Sequence, residues 1–368
     1  MLVRTVPRRL QQGVQRAVRQ AIEQTVPWHP KRRRHSSRHC SGYDDCVDAL
    51  AGLPAIDAAS IRAAHARIGA DIRRTPLWRL PGVALGVPCA EVWLKLEQLQ
   101  VSGSFKARGM FNRLRSAAAS GALPSAGVAI ASGGNAGIAA ATAARALGVR
   151  CEVFVPELTT AAKRERLAAL GAQVVVGGAA YVDALAACER RRRDSGALAM
   201  HAYDQPEVVA GAGTLMQEIE EDAGLPDRVL VSVGGGGLVA GIAAWCAGRA
   251  RVEALEPLRA PTLHAARADG APVDVEVSGI AADSLGARRI GTIAWPITQA
   301  YVAAAHLLDD DAIAAAQRRM WRELRLAVEP AAALPLAALW AGIVMPAAHE
   351  CVAAVVCGAN FDPASVAG

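Results

Sequence analysis

The sequence predicts an α/β protein whose parallel strands are covered by helices on both faces. Three observations lead there. Short β-branched runs recur along the chain, most of them separated by Ala/Leu/Arg stretches with helical spacing. Gly-rich turns follow two of those runs, at the strand-to-helix junctions where such folds hold their ligands. The composition, 52% apolar and 20% charged over 368 residues, supports roughly two domains and excludes a disordered chain.

Taken in order, residues 1–44 are expected to be a basic extension without a catalytic role. Residues 1–43 hold ten Lys/Arg against the single acid Glu23, so this stretch carries +9 while the other 325 residues carry −3. It lacks the apolar run of a secretory signal. Its Arg-rich, acid-poor character faintly resembles an organelle transit peptide, and Lys31 to Arg34 form a basic cluster. Nucleic-acid binding would rest on this tail alone, since 4% aromatic residues are too few for a base-stacking surface. Strands are predicted at Val92–Leu96, 127–131, Cys151–Val155, Gln173–Val176, Val229–Val233, Val252–Leu255 and Val352–Val356. Thr159–Leu170 illustrates the helices between them: Thr159 is its expected N-cap, Leu167 and Leu170 share a face, and Gly171 closes it.

Three nearly uncharged windows offer a membrane alternative. Val229–Gly248 is twenty residues long, enough to span a bilayer, and Ala331–Ala348 and Ala129–Ala144 are nearly as apolar. The four consecutive glycines of the first and the Ser-Gly-Gly-Asn of the third fit turns better than continuous helix, and Pro335 and Pro346 are expected to break the second. Detergent-free extraction separates the two readings.

The turns Ala131–Gly137 and Val233–Leu238 can each hold an anion, because glycines let backbone N–H groups point inward and the following helix adds its positive end. Neither matches GxxxxGK[ST]. Lysine usage narrows the chemistry further. Against 36 Arg there are four Lys, at 31, 95, 106 and 163. Lys31 is in the tail, Lys163 belongs to a charged helical face, and Lys95 alternates with Val92, Leu94 and Leu96 and is expected to point away from them. Lys106 stands in Ser102-Gly-Ser-Phe-Lys-Ala-Arg-Gly109, at a helix entrance. A primary amine forms an imine with a carbonyl compound and a guanidinium does not, so Lys106 is the candidate for covalent chemistry. Eight Cys without any CxxC argue against a disulfide scaffold or zinc ribbon and suit a reducing compartment.

Ser102–Gly109 (SGSFKARG) resembles the cofactor-lysine segment of the fold-type-II pyridoxal-phosphate enzymes, in the serine/threonine dehydratase branch. Ser132–Gly137 is similar to the Ser-x-Gly-Asn loop of that family, and His201–Asp204 with Ala210–Leu215 to the segment before its phosphate loop. Gly234–Leu238 resembles the tetraglycine phosphate loop, and Glu329–Ala333 and Cys357–Asn360 the closing motifs. The resemblance covers about residues 45–362. It implies a tryptophan synthase β-like fold, with a large cofactor-binding domain from 45–126 and 205–368, a small α/β domain from 127–204, and pyridoxal 5'-phosphate in the cleft between them. It also implies a cytoplasmic homodimer or homotetramer acting on a small amino acid.

Residue by residue, the resemblance implies that Lys106 holds the cofactor as a Schiff base and then removes the Cα proton of the substrate. Phe105 would pack beside the ring, Asn135 would bond the ring hydroxyl, and Glu329 would stand near the ring. Gly234, Gly235, Gly236, Gly237 and Leu238 would hold the phosphate. Ser132, Gly133 and Gly134, with Asn135, would bind the substrate carboxylate. Cys357 would face the pyridine nitrogen as a neutral partner, a thiol having an ordinary pKa of about 8.5. His201 is read as structural.

Two departures from the family pattern bear on the reaction. Racemases of the family place a second base, Ser, where this chain has Gly133, which favours one-base elimination. Glu256 fits one ligand of the family's cation site, but the acid expected six residues later is Thr262, so no metal is expected. Asp283–Gly286 (DSLG) also departs from the usual pattern. The implied reaction is dehydrative deamination of L-threonine or L-serine, with racemisation or β-replacement on the same scaffold as alternatives. A non-enzymatic anion-binding module using Lys106 as a point charge is the other class. The eight residues after Asn360 are too few for an appended effector domain, so feedback control is not expected.

Overall fold

The computed structural model describes residues 56–366. The basic extension read at residues 1–44 lies outside the described residues. The first described helix, α1 (Ala58–Ile68), is closed at its start by a reciprocal cap. Asp57 accepts from Ser60 N at 2.8 Å, and Ser60 Oγ accepts from Asp57 N at 2.9 Å. Then follow β1 (Leu77–Pro81), β2 (Glu91–Leu96), α2 (Lys106–Ala119), β3 (Val128–Ala131), α3 (Asn135–Ala146) and β4 (Cys151–Val155). The chain continues through α4 (Ala161–Ala169), β5 (Gln173–Val176), α5 (Tyr181–Ser195), β6 (Leu198–Ala199), α6 (Pro206–Ala223) and β7 (Arg228–Ser232). The last elements are α7 (Gly237–Cys246), β8 (Arg251–Pro257), α8 (Thr262–Asp269), α9 (Ala294–Tyr301), β9 (Val302–Leu308), α10 (Asp310–Arg319), α11 (Pro330–Trp340) and β10 (Cys351–Val356).

These strands make two sheets. Six order as β1-β2-β10-β7-β8-β9, parallel except for the antiparallel edge strand β1. Four order as β5-β4-β3-β6, all parallel. The fold class is α/β, as the alternation requires. The four-stranded sheet comes wholly from residues 128–199, but its core also takes Ile68, Met110, Phe111 and Leu114 from α1 and α2. α2 therefore joins the two cores. It crosses α6 at glycines: a Cβ at Gly109 would stand 2.8 Å from Val208 O, and one at Gly211 2.6 Å from Arg108 O.

The seven expected strands all form, with ends displaced by one or two residues. Three strands went unread. β6 has two residues, β9 (VAAAHLL) lacks a β-branched run, and β1 contains Pro81, which an edge strand tolerates. Among the described residues, no helix is long and apolar enough to cross a membrane. The window Val229–Gly248 is β7, a turn and α7, and the window Ala129–Ala144 is β3, a turn and α3.

Two expectations are corrected here. Pro335 does not break the third window but lies inside α11. Lacking an N–H, Pro335 leaves the carbonyl of Ala331 without its helical partner, and Ser232 Oγ donates to that carbonyl at 2.6 Å from β7. The helix Thr159–Leu170 begins later than read: Thr160 is the N-cap residue and makes no side-chain cap, while Gly171 does end it at φ +83°.

Lys95 does point away from Val92 and Leu94, but not towards water. It is fully buried, with Nζ 2.6 Å from Glu218 and 2.9 Å from Thr75 O. Arg108, also fully buried, forks onto two carboxylates. It contacts Glu97 at 2.8 and 2.7 Å and Glu218 at 2.7 and 2.8 Å, and its remaining N–H donates to Thr214 at 3.0 Å. Two cations and two carboxylates cancel, so this cluster can sit in the core. It fastens the first turn of α2 to the end of β2 and to α6.

Candidate active site

A backbone tie brings the distant motifs together. Phe105 N donates to Cys357 O at 3.0 Å, Ala359 N to Gly103 O at 2.9 Å, and Asn360 Nδ2 to Ser102 O at 2.9 Å. The segment before α2 is thus stitched to the segment after β10. Gly103 must be glycine here. Its φ is +76°, and a Cβ would stand 2.4 Å from Asn360 Oδ1.

The resulting cleft, about 440 Å³ including its open mouth, is lined by Phe105, Lys106, Asn135, Gly234 to Leu238, Glu329 and Cys357. Ten of the expected site residues therefore meet. Ser132, Gly133 and Gly134 are not on that lining. They form the turn between β3 and Asn135, where the N-terminus of α3 begins. Tyr203, Ser232, Ser284, Leu285 and Ala331 also line the cleft and were not among the expected site residues. Tyr203 could have been found, being one of four tyrosines and next to a segment already matched. Nothing in the residue types of Ser284 or Leu285 marked them.

Lys106 stands at the first residue of α2 and is half-buried, its Nζ donating to Ala202 O at 2.7 Å and lying 5.0 Å from the Phe105 ring centre. Burial lowers its pKa to about 8, against the pull of Cys357 and Glu329. Glu329 is buried, and burial pushes its carboxyl up to about 7, although Asn135 Nδ2 donates to its oxygens at 3.0 and 2.9 Å. Asn135 Oδ1 accepts from Asn360 Nδ2 at 2.6 Å. Cys357 Sγ lies 3.9 Å from Glu329 Oε1, and burial holds its thiol well above its ordinary value, hence neutral.

On the far wall, Gly234–Gly237 leads into α7. A Cβ at Gly235 would stand 2.4 Å from the Tyr203 ring, one at Gly236 2.5 Å from Ile290, and one at Gly237 2.8 Å from Tyr203 O. Side chains are thus excluded behind the loop. Among the described residues, the N–H groups of Gly234 to Leu238 donate to no backbone carbonyl outside their helix. Unpaired N–H groups at a helix N-terminus are a fitting cradle for a phosphate dianion. A neutral-capable amine facing that cradle fits a phosphorylated aldehyde, so the donor set suits pyridoxal phosphate.

Glu256, the expected half of a cation site, is used otherwise. Its carboxylate accepts from Leu263 N at 2.7 Å, His264 N at 2.8 Å and Thr262 Oγ1 at 3.1 Å, capping α8. Lys163 pairs with Asp283 of the DSLG stretch at the surface.

A parallel-sheet α/β fold with a lysine amine opposite a glycine phosphate cradle defines an enzyme class that works through a phosphorylated aldehyde cofactor. The family model described as "Pyridoxal-phosphate dependent enzyme" matches residues 68–358, and the chain belongs to that family. It is 35% identical over 309 residues to the L-threonine ammonia-lyase of Geobacter sulfurreducens, covering 82% of this chain and 75% of that protein. It is 33% identical over 316 residues to the phenylserine dehydratase of Ralstonia pickettii, covering 84% and 95%. Among solved structures, maize serine racemase superposes with a TM-score of 0.78 at 28% identity, covering 85% of this chain and 96% of that one. A bacterial threonine deaminase, from T.th., superposes at 0.76 and 30% identity, covering 83% and 99%.

Proposed function

We propose that this chain catalyses dehydrative deamination of L-threonine, L-serine or a related β-hydroxy amino acid, giving a 2-oxo acid and ammonia. The observation that carries the reading is the meeting of the Lys106 amine, the unpaired N–H groups of Gly234–Leu238 and the neutral Cys357 thiol in one cleft. The named activities of the relatives support the same class.

When bound, pyridoxal phosphate supplies an electron sink that makes the substrate Cα proton acidic. The chain's own residues do the rest. Gly234 to Leu238 and the positive end of α7 bind the phosphate. Phe105 packs against one side of the site. Ser132, Gly133 and Gly134, with Asn135 at the start of α3, present donors to the substrate carboxylate. Lys106, with its amine pKa near 8, is substantially neutral at mildly alkaline pH and takes a proton at Nζ, and Ala202 O orients that nitrogen. Cys357 stays neutral and adds no positive charge to the facing ring nitrogen, which favours prompt loss of the β-hydroxyl over a long-lived carbanion.

Racemisation is the second reading, favoured by the likeness to maize serine racemase. It needs a proton donor on the opposite substrate face, and Gly133 carries no side chain to supply one. Incubating the cofactor-loaded protein with L-threonine and L-serine decides between them. Release of 2-oxobutyrate or pyruvate is expected, and formation of the D-isomer without 2-oxo acid would overturn the assignment. We further propose a cytoplasmic homo-oligomer. The described cysteines are all free thiols, which suits a reducing compartment.

A further inference from the structure

We propose that His201 is a positioning residue: its imidazole folds residues 201–205 into a turn that holds the Lys106 amine and the glycine loop in register. This rests on Lys106 and Gly234–Leu238 forming the cofactor site proposed above. His201 Nδ1 accepts two backbone N–H groups, from Asp204 at 2.9 Å and Tyr203 at 3.3 Å. The two bonds bracket Ala202 and aim its carbonyl at Lys106 Nζ, 2.7 Å away. The next residue, Tyr203, lays its ring against Gly235, and the His201 ring meets that ring edge-on, with centroids 4.7 Å apart and planes at 75°.

Both ends of the turn are tied down. Gln205 Oε1 accepts from His201 N at 2.8 Å while its Nε2 donates to Ala199 O at 3.1 Å. The Asp204 carboxylate accepts from Thr292 N at 2.9 Å and Ile293 N at 3.0 Å. Just before them, Gly291 N donates to Gly235 O at 3.0 Å, closing the circuit on the glycine loop. Two walls of the cleft, the amine and the anion cradle, therefore hang on one imidazole.

A ring nitrogen that accepts two N–H groups carries no proton, so the ring is neutral with its proton on Nε2. The groups facing it are Asp204 from the turn, Lys106 from α2, and Tyr181, Glu189 and Arg192 from α5 across an adjoining cavity. Burial lowers the imidazole's pKa below its ordinary value; Asp204 and Glu189 act against this and Lys106 with it. Protonating Nδ1 would set a donor against two donors and open the turn.

The test uses cofactor-free protein titrated with pyridoxal phosphate by absorbance from pH 5 to 8, for the natural chain, His201→Ala and His201→Asn. The asparagine amide oxygen can replace Nδ1 as acceptor but does not titrate. Expected are a loss of affinity of roughly tenfold or more for His201→Ala at pH 8, one charge-free turn's worth of lost hydrogen bonding, and recovery to near the natural value in His201→Asn. The natural chain should also weaken more steeply than His201→Asn as pH falls below about 6.5. Equal affinity in all three, or acid profiles that coincide for the natural chain and His201→Asn, would overturn the proposal. So would a His201→Asn variant as weak as His201→Ala while melting like the natural chain, because ring packing alone would then carry the effect. A natural chain that captures no cofactor on Lys106 would instead sink the functional reading itself.

Discussion

At the scale of single residues, the site is a set of groups held away from their usual charge. The Lys106 amine titrates near 8 because burial disfavours the ammonium form. Only the neutral amine attacks an aldehyde, so cofactor capture by the cofactor-free protein should accelerate as pH rises through about 8. Stopped-flow absorbance measures this, and a rate flat between pH 7 and 9 would contradict it. Lys106→Ala should lose the adduct and at least about 10³-fold in turnover, the size of a base and nucleophile removed together. Glu329 runs the other way. Its carboxyl is raised to about 7, so between its unfolded value near 4.5 and 7 the folded protein binds more protons than the unfolded one. Stability of the cofactor-free protein should therefore decline as pH rises through that window, and Glu329→Gln should flatten the decline in a series of melting curves.

At the scale of elements, glycines and buried charges set where the helices start. Gly235→Ala would push a methyl into the Tyr203 ring, at an overpacking cost of about 1–3 kcal/mol, and should weaken cofactor binding at unchanged Lys106 reactivity. Ser232→Ala would orphan the Ala331 carbonyl beneath Pro335, a cost of about 1–3 kcal/mol visible in denaturant unfolding. Arg108→Met should cost more, about 3–5 kcal/mol, because it strands Glu97 and Glu218 in the core. These elements also mark what a sequence alone discloses. The β-branched strands and the two glycine turns were legible because local chemistry decides them. The fate of Lys95 was not. Alternation along β2 correctly turned it away from Val92, but only the crossing of α2 and α6 decides that the other face is core and not water. Pro335 misled for the same reason, since its compensating donor comes from Ser232, about a hundred positions away. The cleft lysine, Asn135, the glycine loop and Cys357 were readable as motifs, whereas Tyr203, Ser284 and Leu285 join them only through the folded walls.

At the scale of the whole molecule, the chemistry lies at the seam of two sheets. α2 carries Lys106 at its start, shares the core of the four-stranded sheet through Met110 and Phe111, and is clamped to the six-stranded one through Arg108. Every cleft-lining residue lies between Phe105 and Cys357. The charge, by contrast, is concentrated elsewhere: residues 1–43 carry +9 and the remainder −3, so the chain's net +6 belongs to a segment that supplies no lining residue. Removing residues 1–43 should accordingly leave kcat and KM for the amino acid unchanged while reversing the sign of the net charge. Elution should shift from a cation to an anion exchanger near neutral pH. Any salt-dependent attachment of the full chain to polyanions should disappear with the segment, since its ten basic residues are the chain's concentrated cationic stretch. A fall in kcat on truncation, with the melting temperature preserved, would mean that the basic segment reaches the catalytic cleft. In that case, catalysis would depend on more than the two-sheet body.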